Sequence, residues 1–217
     1  MKEGDLRAMA KLKLTYFDFH GGRGEVARIA LSIGKVVFED DRVSFAEWPQ
    51  RRPETPFNAL PVLEVDGVRV TQSNAINRYA GKLAGLYPSD PLQALVCDEV
   101  MDAVEDVTVK TVATFSIENE EEKRAARKAL VEGPLTLYLE RLEERLVRQG
   151  GEWFVGGRIS VADLKVFVWV AHLKSSKLDH VPTDLPDRVA PKLVAHLERV
   201  RSHPGVKAYY AKHNTTP

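Results

Sequence analysis

The chain has 217 residues, 44% apolar and 29% charged, with 31 basic against 31 acidic side chains. That length supports one large or two small domains with true cores, and the even charge excludes electrostatic capture of nucleic acid or an anionic membrane. The single cysteine, Cys97, excludes an internal disulfide framework and a cysteine-rich metal site, and points to a reducing, cytoplasmic compartment.

Met1 to Ala10 reads as a poorly ordered extension, charged and without the apolar stretch of a signal peptide. Leu12 to Phe17 alternates at period two and predicts a first strand. His20-Gly21-Gly22-Arg23-Gly24 is a loop in which Gly22 suits a left-handed turn. Glu25 to Ile33 places Val26, Ile29, Ala30 and Ile33 on one helical face, and Gly34 stops that helix. Val36 to Val43 predicts a second strand, so the β-α-β opening implies a right-handed crossover and a parallel pair. Phe45 to Arg52, cut by Pro49 and Pro53, predicts a short irregular helix or loop.

Val62 to Val65 and Val68 to Thr71 are β-branched runs joined by Asp66-Gly67. That dipeptide suits a type I′ turn, whose two central residues both need positive φ. Thr71-Gln72-Ser73 closes the second strand, and the Ser73 hydroxyl is placed to cap a free amide of the helix that follows. A helix N-terminus of this kind attracts anions through its unpaired amides and its dipole. Leu60-Pro61, just before the hairpin, suits a cis peptide that presents the Leu60 backbone to an extended ligand.

Leu86 to Pro91 is a proline-marked linker, and no strand signal follows it. Leu92 to about Phe115 and Glu120 to Gln149 predict two long helices. The second carries Leu130, Leu135, Tyr138, Leu139, Leu142 and Leu146 at helical spacing and bends at Gly133-Pro134. Ser160-Val161-Ala162-Asp163 predicts a capping box, with Asp in place of the usual Glu and a staple between Ile159 and Leu164. The helix behind it is apolar on nearly all sides and belongs at the centre of its domain. Pro191 to Val200 and Pro204 to Tyr210 predict two final helices. The longest apolar run, Val166 to Ala171, is too short to span a bilayer.

Pro61-Val62-Leu63-Glu64-Val65-Asp66-Gly67 followed by Gln72-Ser73 resembles the glutathione-binding half of the cytosolic glutathione transferases, and the resemblance extends over about Leu12 to Tyr210. It implies an α/β plus all-α architecture. A thioredoxin-like βαβαββα domain would cover residues 1–87, and an all-helical bundle residues 93–217. By matching position, Pro61 is the family's cis proline, Leu60 pairs with the cysteinyl backbone of glutathione, and Gln72 with Ser73 grips its γ-glutamyl group. Tyr16 takes the place of the tyrosine that activates the thiolate in the tyrosine-type classes, and its surroundings look most like the sigma class. Arg23 matches the arginine that supports that thiolate, although its loop is one residue longer than the common pattern. Trp48 and Arg52 match residues at the glycine end of glutathione, and Phe19 and Phe115 stand where walls of the electrophile site are expected.

Two departures follow. Ala59 replaces the lysine that many relatives carry, and Val109 and Lys110 stand where further acids would follow Asp106. Asp102, Glu105 and Asp106 therefore read as a solvated or dimer-facing cluster. The implied reaction is attack of the glutathione thiolate on hydrophobic electrophiles, a detoxification chemistry with glutathione as co-substrate and no cofactor or metal. A homodimer is implied, with Asn74, Asn77 and Arg78 meeting the acidic cluster across its two-fold. Taken alone, the same residues also fit a plain hairpin, a capped helix and a strand-end tyrosine. Within the resemblance, a non-catalytic glutathione-binding or crystallin-like relative and a glutathione-dependent peroxidase or isomerase stay open.

Overall fold

The computed structural model describes residues 10–216, so the predicted N-terminal extension, save for Ala10, lies outside the described residues. The chain divides into two compact units. One runs up to Pro88 and takes back the chain from Pro204 onward; the other is Ser89–His203.

The first unit is built on a four-stranded sheet of order β2-β1-β3-β4. Strand β1 (Leu12–Phe17) pairs in parallel with β2 (Glu39–Val43) and antiparallel with β3 (Val62–Val65), which pairs with β4 (Val68–Val70). Leu12, Leu14 and Tyr16 are buried on one face, while Lys13 and Thr15 on the other face reach Glu39 and Asp41. Helix α1 (Gly22–Ile33) supplies the parallel crossover and buries Val26, Ile29 and Ala30 completely. The hairpin turn has φ of +49° at Asp66 and +85° at Gly67, as a type I′ turn requires.

Strand β2 is shorter than the sequence suggests because the chain is still reversing out of α1. Gly34 is right-handed, Lys35 takes φ +52°, and the Val36 amide donates back to the Leu31 carbonyl at 2.9 Å. Residues 36–38 therefore serve the helix end and not the sheet. Strand β4 likewise stops at Val70, before Gln72 turns to φ +74°. Helix α3 (Ser73–Ala84) packs beside α1. The last helix, α10 (Pro204–Lys212), also packs on α1 and so joins the first compact unit. Val206, Tyr209 and Tyr210 fill that contact side.

The second unit is all helical. Helix α4 (Pro91–Val112) is capped by the Asp90 carboxylate, which accepts from the Gln93 amide. Short α2 (Trp48–Arg51) belongs to the first unit. Helices α5 (Glu120–Leu130) and α6 (Thr136–Arg148) are joined end to end by a π turn at Val131–Leu135. Pro134 has no amide to donate, and the wider turn accommodates it, while the Thr136 hydroxyl donates to the Val131 carbonyl at 2.6 Å. Helix α7 (Val161–Lys174) runs through the core and touches α4, α9 (Pro191–Ser202) and the short α8 (Leu185–Val189), which the sequence pattern did not announce.

One carboxylate starts α7. Asp163, with no exposed surface, accepts from the Ser160 amide at 2.8 Å, the Ser160 hydroxyl at 2.6 Å, the Phe154 amide at 3.0 Å and His196 Nε2 at 2.9 Å. The capping box is thus also the junction that ties the 151–160 loop to α9. Removing the carboxylate strands buried donors, each worth about 1–3 kcal/mol. Asp163→Ala should lower stability by about 3–5 kcal/mol in denaturant unfolding, well beyond the ~1 kcal/mol of an ordinary cap. A loss near 1 kcal/mol would show that Asp163 acts as a cap alone.

Candidate functional site

The strand register brings the predicted residues to one level of the sheet. Tyr16 stands opposite Arg42 in the parallel pair, Thr15 opposite Val62, and Leu63 opposite Val70. One residue beyond the end of the β1–β3 ladder, Pro61 follows opposite Tyr16, while the β3–β4 ladder ends at Val70, two residues before Gln72. Tyr16 and Pro61 thus lie at the same end of the sheet, and the turn into α1 follows β1 directly.

Tyr16 is 6% exposed, and its hydroxyl oxygen accepts from the Arg23 backbone amide at 2.9 Å. Two glycines permit that approach. A Cβ on Gly24 would lie 2.3 Å from Tyr16 Cγ, and one on Gly22, at φ +66°, would lie 2.5 Å from Tyr16 Oη. Gly22 takes the left-handed turn expected of it, and Arg23 reaches the phenol through its main chain. Glu25 lies in the first turn of α1. It is fully buried, and a carboxylate only accepts, so His20 Nδ1–H donates to its Oε1 at 3.1 Å.

Leu60-Pro61 is a cis peptide, with Leu60 half-buried and Pro61 buried. The predicted cap is shifted by one residue. Ser73 is the first residue of α3 and is buried, whereas exposed Gln72 occupies the N-cap position and gives no side-chain cap. Trp48 is half-buried at the start of α2, with its ring 5.6 Å edge-on from Phe17. Phe17 stacks on Phe45 at 4.7 Å, and Phe45 stacks on Phe19 at 6.0 Å. Phe45, 70% exposed, is the residue that sequence reasoning missed at this edge; only its place beside Trp48 in the chain hinted at it. Arg52 is exposed in the 3₁₀ turn after α2. Its neighbour Arg51 is the one locked in place, giving a fork to Asp41 at 3.0 and 2.6 Å that pins α2 to β2.

The N-terminal domain model of the glutathione S-transferases matches residues 12–82, and the C-terminal domain model matches residues 105–213. The chain belongs to the glutathione S-transferase family. Glutathione S-transferase 1 of Ascaris suum is 34% identical over 212 residues, covering 96% of this chain and 100% of that one. The solved structure of prostaglandin synthase D of Nilaparvata lugens superposes with a TM-score of 0.83 at 30% identity, over 95% of this chain and 100% of that one. A solved glutathione S-transferase of Necator americanus, described as monomeric, superposes with a TM-score of 0.76 at 29% identity, over 93% and 97% of the two chains.

In the helical unit of this transferase, Phe115 lies just past α4, 54% exposed, with the Arg127 guanidinium 5.1 Å above its ring. The acidic cluster on α4 is not uniformly solvated. Asp102 and Asp106 are exposed, but Glu105 accepts from buried Lys165 on α7 at 2.7 Å. Of the three α3 residues expected at a dimer contact, Asn77 is fully buried, whereas Asn74 and Arg78 are half-buried. Cys97 is buried within α4. Among the described residues, Glu120, Asp179 and His180 gather as a metal ion would want, but Lys123 sits 3.6 Å from both carboxylates and Arg127 3.8 Å from Asp179, so two cations already balance them. No described helix is long and apolar enough to cross a membrane.

The Asp41 carboxyl is held at about 2, chiefly by the Arg51 fork and further by the Thr15 hydroxyl, against the opposing effect of burial. A depressed folded-state value means that the pair stabilises the fold above the ordinary value of 3.8 and loses this as pH falls toward 2. Asp41→Asn should therefore flatten the stability–pH curve between about 4 and about 2 while lowering the plateau above it. A titration of stability with the same acid slope in both proteins would remove the pair from that role.

Proposed function

We propose that this chain joins glutathione to hydrophobic electrophiles, with Tyr16 as the residue that keeps the bound thiol ionised. A free thiol has a pKa of about 8.5, so lowering it by two units takes roughly 2.7 kcal/mol of selective anion stabilisation. The observation that carries the reading is the Arg23 amide on Tyr16 Oη at 2.9 Å. A phenol that accepts an N–H at the first turn of α1 is polarised by that bond and by the positive end of the helix. Its own proton is then a stronger donor to sulfur, and the thiolate attacks the electrophile while the phenol stays protonated.

Leu60, Pro61, Gln72 and Ser73 hold the cysteinyl and γ-glutamyl parts of glutathione along the same edge, and Trp48 with Arg52 faces its glycine end. Arg52 is exposed and reaches that carboxylate from solvent, in place of the lysine that Ala59 replaces. Arg23 adds positive charge beside the sulfur. Phe19 contributes an apolar wall for the electrophile, and Phe45, stacked on it at 6.0 Å, extends that wall. Glutathione enters as co-substrate, and the reaction calls on no metal or prosthetic group. The single buried Cys97 suits a reducing cytoplasm.

Conjugation of a chlorinated nitroaromatic tests the activity. Tyr16→Phe should cut kcat by about tenfold or more and raise the thiol pKa of bound glutathione by about one to two units, with affinity nearly unchanged. Gln72→Ala should instead weaken glutathione binding by about 1–3 kcal/mol in calorimetry. Retention on glutathione resin with no turnover of any electrophile would turn the reading to a binding module, and an unshifted thiol titration would remove Tyr16 as the donor.

We further infer a homodimer in which Asn74 and Arg78 of one subunit meet Asp102 and Asp106 of the other. Such a contact is polar and screened by salt. Sedimentation at micromolar concentration should find a dimer that loosens as salt is raised. A monomer, as the hookworm relative is described, would end the proposal, and a dimer indifferent to salt would move its contact elsewhere.

A further inference from the structure

Behind the Tyr16 edge lies a buried charge cluster that the proposed chemistry does not yet use. Arg28, on α1, has no exposed surface. Its Nη1 donates to the Phe17 and Phe19 carbonyls, both at 3.2 Å, and its Nε donates to Asp40 at 2.8 Å. Those two carbonyls are the last of β1 and part of the loop that leads to Arg23. The same guanidinium lies 5.6 Å from the centre of the Tyr16 ring. One side chain thus grips the strand end, the loop and the second strand, and faces the candidate phenol.

The surroundings fix this arrangement from every side. Asp40 is shared, since Arg42 Nε donates to its second oxygen at 2.8 Å. Glu25 lies 3.9 Å from Arg28 on the same helix and holds His20 in the middle of the loop. From α10, Tyr209 closes the cluster, its phenol raised far above the ordinary value by burial and so kept neutral. Glu25 Oε2, Arg28 Nη2, Arg42 Nη2 and Tyr209 Oη are all buried and make no hydrogen bond to another described residue.

We propose that Arg28 is a positioning residue for thiolate activation: it sets the turn from β1 into α1 so that the Arg23 amide stays on the Tyr16 hydroxyl, and its buried charge beside the ring strengthens that hydroxyl as a donor to sulfur. The proposal rests on the role given to Tyr16 above. A cation at a ring face is favoured as electron density on the ring rises, as it does when the phenol gives its proton toward a thiolate. The effect is sharpest where no water screens the charge, and Arg28 is fully buried.

The test is a double-mutant cycle read by the ultraviolet absorbance of the bound thiolate as pH is raised. Arg28→Lys keeps the charge but loses the fork across the two carbonyls. It should raise the thiol pKa by about half a unit and lower kcat about threefold, with glutathione affinity within about twofold. In the Tyr16→Phe background the same substitution should leave the titration unmoved, because Arg28 acts through the phenol. An equal shift in both backgrounds, or no shift in either, overturns the proposal. Should circular dichroism show Arg28→Lys unfolded, Asp40→Asn, which loosens the guanidinium from its exposed side, carries the same cycle: a shift confined to the Tyr16 background supports the proposal, and an equal shift or none overturns it. If Tyr16→Phe alone leaves the titration unchanged, the role of Tyr16 fails first and Arg28 has nothing to act through.

Discussion

A guanidinium stripped of water is the constraint on which the first unit depends. Desolvating Arg28 costs several kcal/mol unless it is compensated, and here Nε and Nη1 are met by a carboxylate and two main-chain carbonyls from three different segments. Such a group tolerates few alternatives, since any shift of β1, the loop or β2 leaves a buried charge unpaired. The chain therefore has little freedom in how α1 begins. That rigidity is what places a main-chain amide on a tyrosine hydroxyl with no side-chain donor in between.

The second unit solves the parallel problem with the opposite charge. Asp163 collects four donors from a loop, a helix start and α9, so that a helix apolar on all sides has a fixed beginning. Apolar packing alone would leave α7 free to slide by a turn among equivalent contacts. In both units a buried ion sets register, and hydrophobic burial supplies most of the stability.

Much of this was legible in the chain because it rests on local chemistry. Asp66-Gly67 can make few turns, Ser160 to Asp163 spells its own cap, and Leu12 to Phe17 alternates without interruption. What escaped depends on neighbours distant in sequence. Arg28 and Glu25 look like solvated helix charges until β2 and α10 close over them. Nothing local tells Arg51 from Arg52, yet only the first faces Asp41. Asn77 has the composition of a surface residue and lies in the core. Val36 to Phe38 has the pattern of a strand, but the end of α1 claims it first. Polar residues mislead a pattern reading most where folding buries them.

The return of α10 to the first unit has a consequence for how the protein is made. During synthesis the sheet, α1 and α3 emerge long before the helix that covers one side of α1. Until Val206, Tyr209 and Tyr210 leave the ribosome, that side of α1 and the Glu25–Arg28 cluster stand open to water. Domains usually fold in the order in which they are synthesised. Here the unit translated first is the one finished last, and a chain cut short at its end carries a defect at its beginning.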